Sequence, residues 1–201
     1  MTHVLILSKQ IKDGEPVSEY VKSLASHLNE KGFKVSIVSF DDGSYYSLDD
    51  EINVHRFPLH FNGSNIFNWS MMMNNELKGQ VMENIDVESV DIIHANDWTT
   101  VPGAISLSKH LERPMVFTVH STEHERGFGT ENSEMISELE WKGVYDAETV
   151  IANNEGTYNS LIHDLDTPEK KIEVIRPLRE GWESRVLKTY KEHVKLEKEV
   201  K

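Results

Sequence analysis

His3-Val4-Leu5-Ile6-Leu7-Ser8 opens a stretch that decides the fold: Gln10 to Pro16 follows, then Val17, Val21, Leu24, Ala25 and Leu28, then Gly32, then Val35 to Ser39. The first run is short and rich in Val, Leu and Ile, the composition of a strand buried on both faces. Gln10 to Pro16 is polar and holds Gly14 and Pro16, so it reads as a loop. The apolar residues from Val17 to Leu28 recur at helical spacing, and Gly32 stands where that helix must stop. A second strand follows. A strand, helix and strand joined in this way form a βαβ crossover, which demands a parallel sheet and right-handed winding.

The same alternation continues outward. Asp41 to Leu48 is turn-rich, Ile52 to Phe57 reads as an edge strand, and Leu59 to Asn68 as a loop. A helix is expected from near Trp69 through Met73, Leu77, Val81 and Met82. Strands are expected at Asp91 to Ala95, Met115 to Val119, Thr149 to Ala152 and Ile172 to Ile175. Helices are expected from about Thr100–Pro102 onward, over Ser133 to Tyr145, and over Asn154 to His163. The fold class is therefore α/β, a doubly wound, mostly parallel Rossmann-like sheet of about six strands. Residues 1–175 form that domain, and 176–201 form a linker and a long C-terminal helix. In the helix, Trp182, Val186, Tyr190 and Val194 make one stripe that can dock back on the domain.

Composition narrows the function. The 201 residues are 38% hydrophobic and 27% charged, as in an ordinary globular domain. The net charge of -13 disfavours nucleic acid and anionic lipid as partners. The start has no basic n-region and no run approaches the ~20 apolar residues of a membrane span, so a cytoplasmic protein is expected. Cysteine is absent, which removes thiolate chemistry and cysteine-bound metal.

In an open parallel sheet, ligands gather beyond the carboxyl ends of the strands. Three polar groupings fall there: Lys12-Asp13-Gly14, His94-Ala95-Asn96-Asp97-Trp98, and His120-Ser121-Thr122-Glu123-His124. Each has a bland alternative. His120 would be a histidine satisfied at a strand end, Asp97 a helix cap, Trp98 a core tryptophan, and Lys12 a solvated loop residue. His120 to His124 also spells a zinc-peptidase pattern, but that chemistry needs a helix and a distal carboxylate, so no metal is expected. Met71-Met72-Met73 reads as a helix filling an irregular core.

On these residues the chain resembles the amino-terminal domain of GT-B retaining glycosyltransferases of the glycogen and starch synthase group, archaeal type. That group carries a Lys-x-Gly-Gly loop, a His-x-His-Asp-Trp segment and a Thr-hydrophobic-His strand end. Here they read Lys12-Asp13-Gly14-Glu15, His94 to Trp98 and Thr118-Val119-His120, and Glu138 to Gly143 resembles the helix that follows. The match covers roughly Met1 to Ile175.

The resemblance implies a nucleotide sugar as donor, a glucan-like acceptor and no cofactor. It places His120 beside the donor sugar as the catalytic residue, supporting an oxocarbenium-like transition state. It assigns sugar contacts to Asp97, His94 and Trp98, and donor phosphate to Lys12 and Gly14.

Two departures stand out. Glu15 replaces the loop's second glycine, where a carboxylate would repel a diphosphate. After Ile175, Pro177-Leu178-Arg179 leads straight to the Trp182 helix, where the group continues into a second, donor-binding domain. The expectation is an acceptor-side half, inactive alone, whose other half was removed by engineering. The alternatives are a non-catalytic or engineered Rossmann-like module and a half-enzyme pairing with a separate donor-binding subunit.

Overall fold

The computed structural model describes residues 1–200, with side chains described through residue 194. In chain order the elements are β1 (His3–Gln10), α1 (Pro16–Glu30), β2 (Lys34–Phe40), β3 (Asn53–Phe57), α2 (Ile66–Asn84), β4 (Ile92–Asn96) and α3 (Val101–Leu111). There follow β5 (Met115–Val119), the short α4 (Glu123–Arg126), α5 (Ser133–Asp146), β6 (Thr149–Ala152), α6 (Glu155–His163), β7 (Ile172–Val174) and α7 (Trp182–Val200).

The strands form one seven-stranded sheet in the order β3-β2-β1-β4-β5-β6-β7, with every neighbouring pair parallel. All seven segments read as strands, both short edge strands included, join the ladder, one more than the count of about six. The chain winds outward through β2 and β3, then returns past β1 to lay down β4. Strand order reverses between β1 and β4, which makes their carboxyl ends the switch point where such sheets open a crevice.

Side-chain alternation splits the core into two layers. Leu5 and Leu7 of β1 face a layer with Met73, Leu77 and Val81 of α2, Ala104 and Leu107 of α3, Val144 of α5 and Leu161 of α6. Val4 and Ile6 face the other way, toward Tyr20, Val21, Leu24 and Leu28 of α1. Ile92, Val116 and Ile151, from β4, β5 and β6, also face this second side, where Trp182, Val186, Leu187 and Tyr190 of α7 meet them. One helix cannot roof seven strands. α7 supplies the second half of the roof, and each fully buried side chain of this size stabilises by ~1.5–3 kcal/mol before entropy is counted.

Local chemistry sets the helix ends. Glu15 caps α1 by accepting from the Ser18 amide, Pro16 starts the helix, and Gly32 ends it at φ 77. α2 begins at Ile66, ahead of the Trp69 start expected, because Asn65 caps the Asn68 amide. α4 was not foreseen. Its signal is the capping box Thr122-x-x-Glu125, in which each side chain satisfies the other residue's amide. The methionine run is only partly core: Met73 is fully buried while Met71 and Met72 face out. At 100° per residue, three consecutive side chains cannot share one helix face.

Candidate functional site

β4 ends at Asn96 and the chain turns sharply at Asp97, whose φ of 58 and ψ of 165 lie in a region that non-glycine residues rarely occupy. Such a conformation costs ~1–3 kcal/mol and persists only where surrounding contacts impose it. Here those contacts come from β5. The Asp97 amide donates to the Thr118 carbonyl at 3.0 Å, and its carboxylate accepts the His120 amide at 2.9 Å. Asp97 thus ties the ends of β4 and β5 together. It caps no helix.

The His120 imidazole is held from three sides. Its Nε2 lies 3.3 Å from Asn96 Oδ1, its Nδ1 lies 2.6 Å from Asn153 Nδ2, and Tyr20 meets the ring edge-to-face at 4.9 Å. Burial depresses its pKa below the usual histidine value, with Asp97 and Glu15 pulling the other way. The ring is therefore neutral near pH 7 and can both donate and accept. Asn153 follows β6 and its Oδ1 is buried without a partner among the described residues. Sequence reading passed it over. The available signal was position, the first polar residue beyond a strand end on the same edge.

Beside this cluster lies a cleft of about 290 Å³, open between β1, β4 and β5 and lined by Gln10, Glu15, Asn96, Asp97, Trp98 and Arg126 among others. Trp98 is 8% exposed, so most of its ring packs inside and only an edge reaches the cleft. Arg126 comes from α4. Its guanidinium donates to Glu123 at 2.9 Å and to Glu140 at 2.6 Å. Glu140 is almost fully buried, and that burial pushes its pKa up to about 7 against the pull of Arg126.

The other expected site residues sit elsewhere. His94 has no exposed surface. Its Nε2 lies 2.7 Å from Thr118 Oγ1, its Nδ1 is hydrogen-bonded to the Tyr190 hydroxyl, and burial depresses its pKa to about 3. It lies behind the site and cannot touch a sugar in this arrangement, because a strand residue pointing to the α1–α7 side is roofed by α7. Lys12 pairs with Asp42 at 3.8 Å. Gly14, at φ 76, donates its amide to Glu19 at 2.8 Å. Glu15 accepts from both the amide and the hydroxyl of Ser18 at 2.7 Å. The loop after β1 has thus filled its own amides with carboxylates, and a phosphate arriving there competes with them. The zinc pattern is also broken by the fold. His120 follows the end of β5, whereas His124 lies on α4, 3.7 Å from Asp164. Among the described residues no cluster is placed to hold a metal.

Residues 17–178 match Glycosyltransferase Family 4. The chain belongs to that family. A family relative, the uncharacterized glycosyltransferase MJ1607 of Methanocaldococcus jannaschii, is 25% identical over 186 residues, which cover 90% of this chain and 47% of MJ1607. The chain thus spans about half the length of its curated relative. Among solved structures, a sucrose-phosphate synthase chain from Thermosynechococcus elongatus, made of residues 27–220 and 406–426, aligns with a TM-score of 0.68 at 15% identity. That alignment covers 97% of this chain and 99% of the other. Anabaena HepE in complex with UDP and glucose aligns with a TM-score of 0.64 at 20% identity, over 88% of this chain and 44% of HepE. These likenesses establish a Rossmann-like half of the GT-B fold for this family-4 chain. No described helix is long and apolar enough to cross a membrane.

Proposed function

We propose that this family-4 chain is the acceptor-side half of a retaining, glycogen synthase-like transferase that uses a nucleotide sugar, and that it is inactive by itself. The observation that carries the reading is the Asp97–His120 clamp, held in a strained turn at the switch point, with the unpaired Asn153 Oδ1 beside it. Relatives spanning twice this length support the half-enzyme part, as does the near-complete alignment with a two-segment sucrose-phosphate synthase chain. The complexes of HepE with UDP and glucose support a nucleotide sugar as donor.

In this reading a hydroxyl of the donor sugar replaces Asn96 Oδ1, 3.3 Å away, as the partner of His120 Nε2 while the sugar ring gains positive charge. A neutral imidazole suits that role, since it adds no repulsion to an oxocarbenium-like centre. Asp97 and the edge of Trp98 face the acceptor, and Asn153 Oδ1 takes a sugar hydroxyl. Lys12 and Gly14 border the donor phosphates, and Glu15 with Glu19 keeps that contact weak. His94 acts from behind the site and does not touch sugar. In this reading a second half, which binds the donor nucleotide, completes the cleft. A one-sided cleft cannot surround a ligand or exclude water, so the isolated chain binds weakly and does not turn over.

The test is a titration of the labelled chain with maltooligosaccharide and with UDP-glucose, read by NMR, together with an initial-rate transfer assay on glycogen. Shifts at millimolar ligand that cluster on Asp97, His120 and Asn153, without transfer, are expected. Shifts confined to other surfaces would remove the site. Robust transfer that disappears in His120→Ala would remove the claim that the half is inactive.

A further inference from the structure

Tyr20, which packs against the His120 ring, belongs to a buried polar chain that begins on α7. The Tyr190 hydroxyl bonds His94 Nδ1, His94 Nε2 lies 2.7 Å from Thr118 Oγ1, and Thr118 Oγ1 lies 3.1 Å from the Tyr20 hydroxyl. All four residues are buried. Tyr20 is gripped a second time, by Trp182 of α7, whose ring stacks on it at 4.7 Å and 28°. Tyr20 in turn meets the His120 ring at 4.9 Å with the two planes nearly perpendicular. Thr118 is also two residues before His120 on β5, and its carbonyl receives the Asp97 amide.

α7 follows His120 by about a third of the chain, yet it touches Tyr20, which contacts the His120 ring, and His94, which bonds Thr118 beside it. A packing helix needs only apolar contacts, and Val186 and Leu187 provide them. A tyrosine hydroxyl and a histidine buried together add nothing to such packing. They are costly unless each polar atom is bonded, and bonded they fix one arrangement.

We propose that α7 is a positioning element of the His120 site: Tyr190, through His94 and Thr118, and Trp182, through Tyr20, together hold the His120 imidazole in the orientation set by Asn96 and Asn153. The proposal rests on His120 being a site residue, but the ring's orientation is measurable without any sugar. Trp182 and Tyr190 are positioning residues, since neither reaches the cleft. In a longer enzyme of this family, a displacement of α7 would be felt at His120 first.

Long-range proton–nitrogen correlation spectra of the intact chain report the tautomer and titration of each histidine ring. In the wild type, His120 should show one fixed tautomer. Averaging between the two, as in free imidazole, would overturn the proposal. In Tyr190→Phe, which keeps the ring and removes one hydroxyl, the nitrogen signals of both His94 and His120 should move. Val186→Ala, which removes packing from the same helix, should lower the melting temperature and leave the His120 signals in place. If Tyr190→Phe fails to fold, Thr118→Val cuts the chain at its middle and should shift His120 likewise, while Thr118→Ser should restore it. A response at His94 with none at His120 would overturn the proposal. Movement at His120 without any sugar-induced shift would leave positioning intact and count against the proposed function instead.

Discussion

Replacing Tyr190 with alanine separates the two ways in which α7 is bound to the domain. Tyr190 has no exposed surface and is among the largest fully buried side chains. Truncating a buried aromatic to alanine costs ~3–5 kcal/mol through lost transfer energy and the cavity left behind. Removing the hydroxyl also strands His94 Nδ1 in a dry interior, which adds ~1–3 kcal/mol. The sum, ~4–8 kcal/mol, is a large part of the ~5–15 kcal/mol that stabilises a typical domain. For a chain of this length each kcal/mol moves the melting temperature by ~2–4 °C. Tyr190→Ala should therefore melt at least ~8 °C below wild type. Tyr190→Phe keeps the volume and loses only the bond, so it should fall by ~2–12 °C, always less than alanine. Circular dichroism melts with urea titrations at 25 °C measure both variants, with exposed Lys191→Ala as a control expected within ~0.5 kcal/mol of wild type. If Tyr190→Ala melts within ~2 °C of wild type, α7 is not part of the cooperative fold and the account of its packing fails. If Tyr190→Phe equals wild type while alanine is damaged, the buried polar chain carries no stability.

Glu140 offers a test in pH. Its pKa rises from 4.5 to about 7 on folding, so the folded state holds the extra proton between those values. Stability contributed by this group is present below pH ~4.5 and is lost as pH climbs to ~7, by up to about 3 kcal/mol. Glu140→Gln should flatten that part of the melting-temperature profile, and parallel profiles would refute the assignment. At Asp97 the strained turn makes a different forecast. Asp97→Ala and Asp97→Gly both lose the bond to His120, but glycine relieves the backbone, so it should be more stable than alanine by ~1–2 kcal/mol. An alanine variant as stable as the glycine variant would show that the turn is not strained. Gly143 lies under β5, and an added Cβ would fall 2.7 Å from Phe117 and 2.8 Å from Val101. Gly143→Ala should cost ~1–3 kcal/mol by overpacking, and an unchanged melt would mean that the Phe117 ring moves aside freely.

The parallel α/β sheet was legible in the sequence because its signals are local. The apolar runs His3 to Ser8, Val35 to Ser39 and Met115 to Val119, with helical spacing and Gly32 between them, give a period that each segment carries alone. The edge on which polar residues gather followed from the same reading, since it depends only on which residues succeed a strand. That much brought Asp97 and His120 into view.

The inward or outward sense of each side chain was decided elsewhere. His94 and Asp97 lie three residues apart in one segment, yet α7 roofs the first and the second faces the cleft beside β5. Lys12 and Gly14 carry charge and flexibility suited to phosphate, but Asp42 and Glu19 engage them first. Asn153, Arg126 and Tyr20 had no motif to announce them and reached the site by tertiary contact. The reason is physical. Periodicity and turn chemistry act over a few residues, so a sequence displays them directly. A hydrogen bond between Tyr190 and a histidine 96 residues earlier exists only once the sheet, α1 and α7 have closed over both.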